Sequence, residues 1–109
     1  MIEQKSEMRW EFSGDIEAEM LMSFQATLVD FLEKVSATKE LQLDFGELDI
    51  WHGGAMSALT AAIKQLLHQG KRLELVEPQQ LVIHNLYRVG YYPHPGLSVT
   101  NLRQDEPYG

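Results

Sequence analysis

The residues best placed to do chemistry lie in one short run, Trp51-His52-Gly53-Gly54, immediately before an alanine-rich segment with helical spacing. Two glycines at a helix start present free backbone amides, and such amides can hold an anion such as phosphate or a partner's carboxylate. The same pair is equally suited to a tight turn that only glycine allows. The lysine and the longer glycine spacing of a phosphate-binding loop are absent, so a nucleotide site has little support. His52 is the side chain in this run that can gain charge near neutral pH, which makes it a candidate for a specific contact; the alternative is a solvated loop histidine. The remaining histidines, His68, His84 and His94, show no paired ligand spacing, and the chain has no cysteine. Metal ligation, thiolate chemistry and disulfides are therefore not expected. No nucleophile elbow or paired-acid motif is present, so neither a catalytic site nor a cofactor site is expected and the chain does not read as an enzyme. Trp51 and Tyr91-Tyr92-Pro93 are aromatics beside loops, suited either to an interface or to core packing. Met20, Met22 and Met56 read as fillers of core gaps or edges.

The elements that must position these residues follow from periodicity. Met8, Trp10 and Phe12 alternate with polar residues and predict a first strand, followed by a turn at Ser13-Gly14-Asp15. Met20, Phe24, Leu28, Phe31 and Val35 predict one amphipathic helix from about residue 17 to residue 35. Leu41, Leu43 and Phe45 predict a second strand that stops at Gly46 and opens into a loop from Gly46 to Gly54. In the next helix Met56, Leu59, Ile63 and Leu66 form the buried stripe, and Gly70 is placed to end it. Leu73, Leu75 and Val76 predict a third strand before Pro78, and Gln79 to Val89 a third helix that ends at Gly90. Leu97 to Leu102 can supply a last strand, after which the polar stretch from Arg103 to Gly109 is expected to fray. Strands alternating with helices argue for a layered α/β domain, with a mostly parallel or mixed sheet of four to five strands packed with three to four helices. One domain over residues 1–109 is the expected organisation.

The charge balance narrows the partners. Sixteen acidic against nine basic side chains give a formal charge of −7, a field that repels nucleic acid and anionic membrane surfaces. The one adjacent basic pair, Lys71-Arg72, suits a helix end. No apolar run is long enough to span a membrane, the first residues do not resemble an export leader, and a cytoplasmic location is expected.

The segment LQLDFGELDIWHGGAMSALTAAIKQLLHQGKRLELVEP, from Leu41 to Pro78, resembles the signature half of the STAS family, shared by bacterial anti-sigma-factor antagonists and the cytoplasmic tails of sulfate transporters. Asp44, Ala58, Leu59, Gly70 and Arg72 fall at matching places, and FSGDIEAE from Phe12 is similar to the family's turn after the first strand, with Glu17 where an aspartate usually stands. The resemblance breaks where the family carries Asp-Ser-Ser-Gly. Here the residues are His52-Gly53-Gly54-Ala55, and the phosphoacceptor position is Gly54, which has no hydroxyl. Ser57 and Thr60 lie nearby, but nothing marks them as substitutes. The resemblance implies a non-catalytic, protein-binding regulatory module of the signalling and transcription-regulating kind, whose partner surface comprises Glu17, Asp49, His52, Gly53, Gly54, Met56 and Ser57. The partners it implies are an anti-sigma-factor kinase or a larger signalling complex; the alternative is the ATPase subunit of an ABC lipid transporter, and a third reading is an anion or nucleotide sensor.

Overall fold

The computed structural model describes residues 1–104. Five strands form one sheet in the order β1 (Ile2–Gln4), β2 (Arg9–Ile16), β3 (Glu40–Ile50), β4 (Arg72–Val76) and β5 (Leu97–Thr100). The hairpin of β1 and β2 is antiparallel; every later neighbour is parallel. Three helices make the crossovers: α1 (Leu21–Lys34), α2 (Gly53–His68) and α3 (Gln80–Arg88). A strand order that advances in one direction with right-handed crossovers puts every helix on the same side of the sheet. In accord with this, α1 packs on α2 and α2 on α3. The expected α/β layering and mixed sheet are thus observed.

Alternation sorts the strands' side chains between the two faces. Trp10, Phe12, Leu41, Leu43, Phe45, Leu73 and Leu75 are buried against Phe24, Leu28, Phe31, Leu59, Ile63, Leu66, Val82 and Leu86 of the helices. Phe12 meets Phe31 and Phe45 edge-on, with centroids 5.2 and 4.9 Å apart, and Trp10 meets Phe31 at 5.1 Å. Each such pair adds about 0.5–1.5 kcal/mol beyond the area it buries, so this cluster fixes α1 over β2 and β3. Trp10 Nε1 has no hydrogen-bond partner within the described residues, which marks this tryptophan as a packing element. The opposite face carries no helix and is polar. There Arg9 donates to Gln42 Oε1 (2.6 Å) and pairs with Asp44, Gln42 donates to Glu74 (2.9 Å), and Thr100 donates to the other Glu74 oxygen (2.6 Å). The Thr100 hydroxyl and then the Gln42 amide hold the Glu74 carboxyl below its ordinary range.

Several expected boundaries are corrected. The strand expected to end at Gly46 runs on to Ile50, so the loop expected from Gly46 to Gly54 shrinks to Trp51 and His52. At Gly46 the register against β2 slips: Glu11 faces Asp44, but Ser13 faces Glu47. The additional β3 residue makes a bulge, and the buried positions change phase from 41, 43 and 45 to 48 and 50. Ser13-Gly14-Asp15, expected as a turn, continues β2, with Gly14 at φ +123. The first helix starts late: Ala18–Met20 is a 3-10 turn, Glu17 precedes it, and Met20 is 39% exposed, outside the buried stripe. Strand β1 was missed because its three residues, Ile-Glu-Gln, are too few to show a period. Gly70 and Gly90 follow α2 and α3 at φ +83 and +81, as their placement predicted.

Lys71 is buried, and its ammonium donates to the carbonyls of Ser36 (3.0 Å) and Thr38 (2.7 Å) in the loop after α1. It closes a neighbouring helix's exit, whereas the sequence suggested the end of its own helix. Arg103, at the start of the expected frayed tail, is tied down: its guanidinium donates to the carbonyls of Leu48 (2.8 Å) and Phe45 (3.3 Å) and pairs with Asp49. The rest of that tail, from residue 105, lies outside the described residues. Among the described residues no helix is long and apolar enough to cross a membrane.

Candidate functional site

The carboxyl ends of β2 and β3 finish level, because Asp15 pairs with Asp49 and Ile16 with Ile50 across the parallel ladder. Ligand sites on open α/β sheets lie beyond such strand ends, where the chain leaves the sheet for a helix. Here the two exits, Glu17 into α1 and Trp51-His52 into α2, frame a shallow cleft of about 340 Å³ lined by Asp15, Ile16, Glu17, Asp49, Trp51 and His52.

The end of β3, just before the cleft, is held by a side chain outside the expected site. Strand β4 stops at Val76, too early to pair with the end of β3, and Gln79 takes over as a substitute strand. Its amide accepts from the Ile50 N–H (2.9 Å) and donates to the Ile50 carbonyl (3.3 Å), and Gln79 itself is 2% exposed. A buried backbone donor or acceptor left without a partner costs about 1–3 kcal/mol, so one glutamine fixes the direction in which the chain leaves β3. Arg103 does the same for the bulge, its guanidinium donating to the carbonyls of Phe45 and Leu48. Neither residue was legible as part of the site, because both act across long sequence separations; the one available signal was the glutamine two residues before an apolar helix stripe, which reads only as an ordinary helix start.

His52 is the N-cap of α2: its backbone is extended (φ −94, ψ 128) and its Nδ1 accepts from the Ala55 N–H at 3.3 Å. Gly53 and Gly54 are the first two residues of the helix, and neither has the positive φ of a glycine-only turn. The close approach explains residue 54 instead. A Cβ on Gly54 would lie 2.9 Å from His52 Cε1, 3.3 Å from His52 Nδ1 and 3.2 Å from Leu21 Cδ2. The imidazole and Leu21 of α1 thus fill the space a serine side chain would need. At Gly53 nothing lies within 4 Å of that position, so its glycine is not sterically required.

The expected surface residues divide. Glu17, Asp49, His52, Gly53, Gly54 and Ser57 come together at the junction, with Glu17, Gly53 and Ser57 exposed. Met56 does not: it is 2% exposed and belongs to the core, because the fourth residue of α2 faces the sheet. Thr60 is also buried, its hydroxyl donating to the Met56 carbonyl (2.8 Å). Trp51 is the opposite case, with 55% of its surface exposed at the lip of the cleft. In the first turn of α1, Met22 is 82% exposed. The methionines expected to fill core gaps or edges are divided, with Met56 in the core and Met20 and Met22 exposed.

The electrostatics disfavour an anion. Asp15, Glu17 and Asp49 line the cleft, with the Arg103 guanidinium held against Asp49, and the third amide of α2 is already taken by His52. Among the described residues no three histidine, aspartate or glutamate side chains come together as a metal site would require. What the arrangement offers is an exposed indole beside an acidic rim.

The sequence matches no protein-family model and no curated protein sequence. Solved structures do match. The chain is similar to the Bacillus cell fate determinant SpoIIAA in its phosphorylated form, at 12% identity and a TM-score of 0.61, covering 92% of this chain and 89% of that one. It is also similar to the anti-sigma factor antagonist SpoIIAA in its unphosphorylated form, at 10% identity and a TM-score of 0.59, covering 94% and 88%. With the sheet order, the three crossover helices and nearly complete coverage in both directions, the chain has the SpoIIAA fold, the STAS fold that its sequence resembles.

Proposed function

We propose that the chain is a non-catalytic STAS-type regulatory module that docks a protein partner at the β3–α2 junction and is not switched by phosphorylation at residue 54. The observation that carries this reading is Trp51: a large aromatic left mostly exposed at the lip of a cleft, with Glu17, which has no side-chain partner among the described residues, on the rim. Exposed aromatics of this kind supply the anchors of protein interfaces. The fold supports the same reading, since SpoIIAA is described as an anti-sigma factor antagonist. An anti-sigma-factor kinase or a signalling complex of the cytoplasm is the partner class that this likeness favours.

Affinity capture from the native cell, followed by binding measurements with the purified partner, tests it. Trp51→Ala and Glu17→Lys are expected to weaken partner binding while leaving the melting temperature within about 2 °C of the parent, as surface changes do. Undiminished binding by both variants would refute the docking surface.

A further inference from the structure

The same histidine that caps α2 also occupies the space denied to residue 54, and a cap of this chemistry has two states. Its Nδ1 can accept from the Ala55 N–H only while that nitrogen carries no proton. A proton taken from solvent onto Nδ1 uses the lone pair, leaves Ala55 N–H without an acceptor and sets a positive charge against the positive end of the helix dipole. Three carboxylates share the cleft with the ring. Asp15 from β2, Glu17 from the turn before α1 and Asp49 from β3 line the cleft with it, Asp49 being shared with Arg103, while the apolar Leu21 of α1 lies against the same space above Gly54 and the first turn of α2 carries no acidic residue.

We propose that His52 takes the switch position in this protein: proton uptake at its Nδ1, in place of a phosphoryl group on residue 54, releases the α2 cap and turns the imidazolium toward the carboxylates of the cleft. The cleft gains one positive charge, and the pocket above Gly54 opens as the ring leaves. The effect on partner affinity rests on the docking reading above; the release of the cap does not.

The test is an NMR titration of the intact, isotope-labelled chain from pH 8 to pH 5, the range over which histidines change charge. The Ala55 amide resonance is expected to move with the same midpoint as the His52 ring protons. Its hydrogen exchange, corrected for the intrinsic pH dependence, is expected to become roughly fivefold less protected at the acid end, the factor lost with a typical cap. His52→Asn, which caps without titrating, is expected to hold the Ala55 amide still across the range. An Ala55 amide that stays fixed while the His52 ring titrates would overturn the proposal, as would a response that persists unchanged in His52→Asn. A chain that titrates as expected but captures no partner refutes the docking reading and leaves the proton switch standing; a chain that captures its partner with a motionless Ala55 amide does the reverse.

Discussion

The helix-free face of the sheet and the junction beyond β2 and β3 are both polar and both solvent-facing, yet they are built on opposite principles. On the sheet face, Arg9, Gln42, Asp44, Glu74 and Thr100 satisfy one another in a continuous chain of hydrogen bonds running from β2 to β5. The groove there, about 380 Å³ and lined in part by Arg9, Gln42, Arg72 and Glu74, is larger than the junction cleft. At the junction, Gln79, Arg103 and His52 are turned mainly to backbone groups, with Arg103 also pairing with Asp49, while Glu17 and the Trp51 indole project without a partner among the described residues. The size of a depression is therefore a poor guide to its use here. Groups that pair internally have already spent their interaction energy on the fold; groups held in place by buried anchors but left unpaired keep theirs for a partner.

The largest expected effect tests the buried anchor. Gln79→Ala strips partners from the Ile50 N–H and C=O together and is expected to lower unfolding free energy by about 3 kcal/mol, read by urea denaturation. A loss below about 1 kcal/mol would mean that the strand end finds other partners and that the junction is not held as described. Next in size is the binding contrast: Trp51→Ala is expected to weaken partner binding by about 2 kcal/mol, some thirtyfold, with stability unchanged. Arg9→Ala, which cuts the network on the other face, is expected to do the opposite, costing about 1 kcal/mol of stability and leaving affinity alone. Equal effects of the two on binding would erase the distinction between the faces.

A smaller effect concerns the crowded cap. Gly54→Ser forces the His52 ring aside and is expected to destabilise by about 1 kcal/mol, the loss of a cap. Combined with His52→Asp, which caps with a shorter side chain, the serine is expected to cost markedly less, a non-additivity that a double-mutant cycle reads directly. The smallest effect is the acid limb of Glu74. Because its folded carboxyl is held below the ordinary value of 4.5, its contribution is present above that pH and lost as pH falls through the depressed value. Glu74→Gln is expected to remove that contribution near neutrality and so to flatten the stability profile in the acid range, as followed by denaturation at successive pH values.

How much of this was legible in advance depends on the range of the interactions involved. The core strands and the faces of α1 and α2 were plain from Phe24, Leu28 and Phe31, from Leu41, Leu43 and Phe45, and from Leu59, Ile63 and Leu66, because an apolar side chain reports its face through local spacing alone. The bulge at Gly46 was not, although Leu48 and Ile50 resume the alternation one residue out of phase; a glycine reads as a stop unless the pattern beyond it is followed.

The sequence alone determined the layered α/β architecture, the absence of a hydroxyl at residue 54 and the placing of the glycine pair at the head of a helix, since side-chain identity and periodicity are properties of neighbours along the chain. Only the tertiary structure decided that Met56 turns inward while Trp51 turns out, that His52 caps the helix and fills the serine's space, and that Gln79 and Arg103 hold the strand end. Those outcomes depend on which groups meet across tens of residues of chain. Backbone donors and acceptors stranded where one strand outruns its neighbour must find partners wherever the fold delivers them.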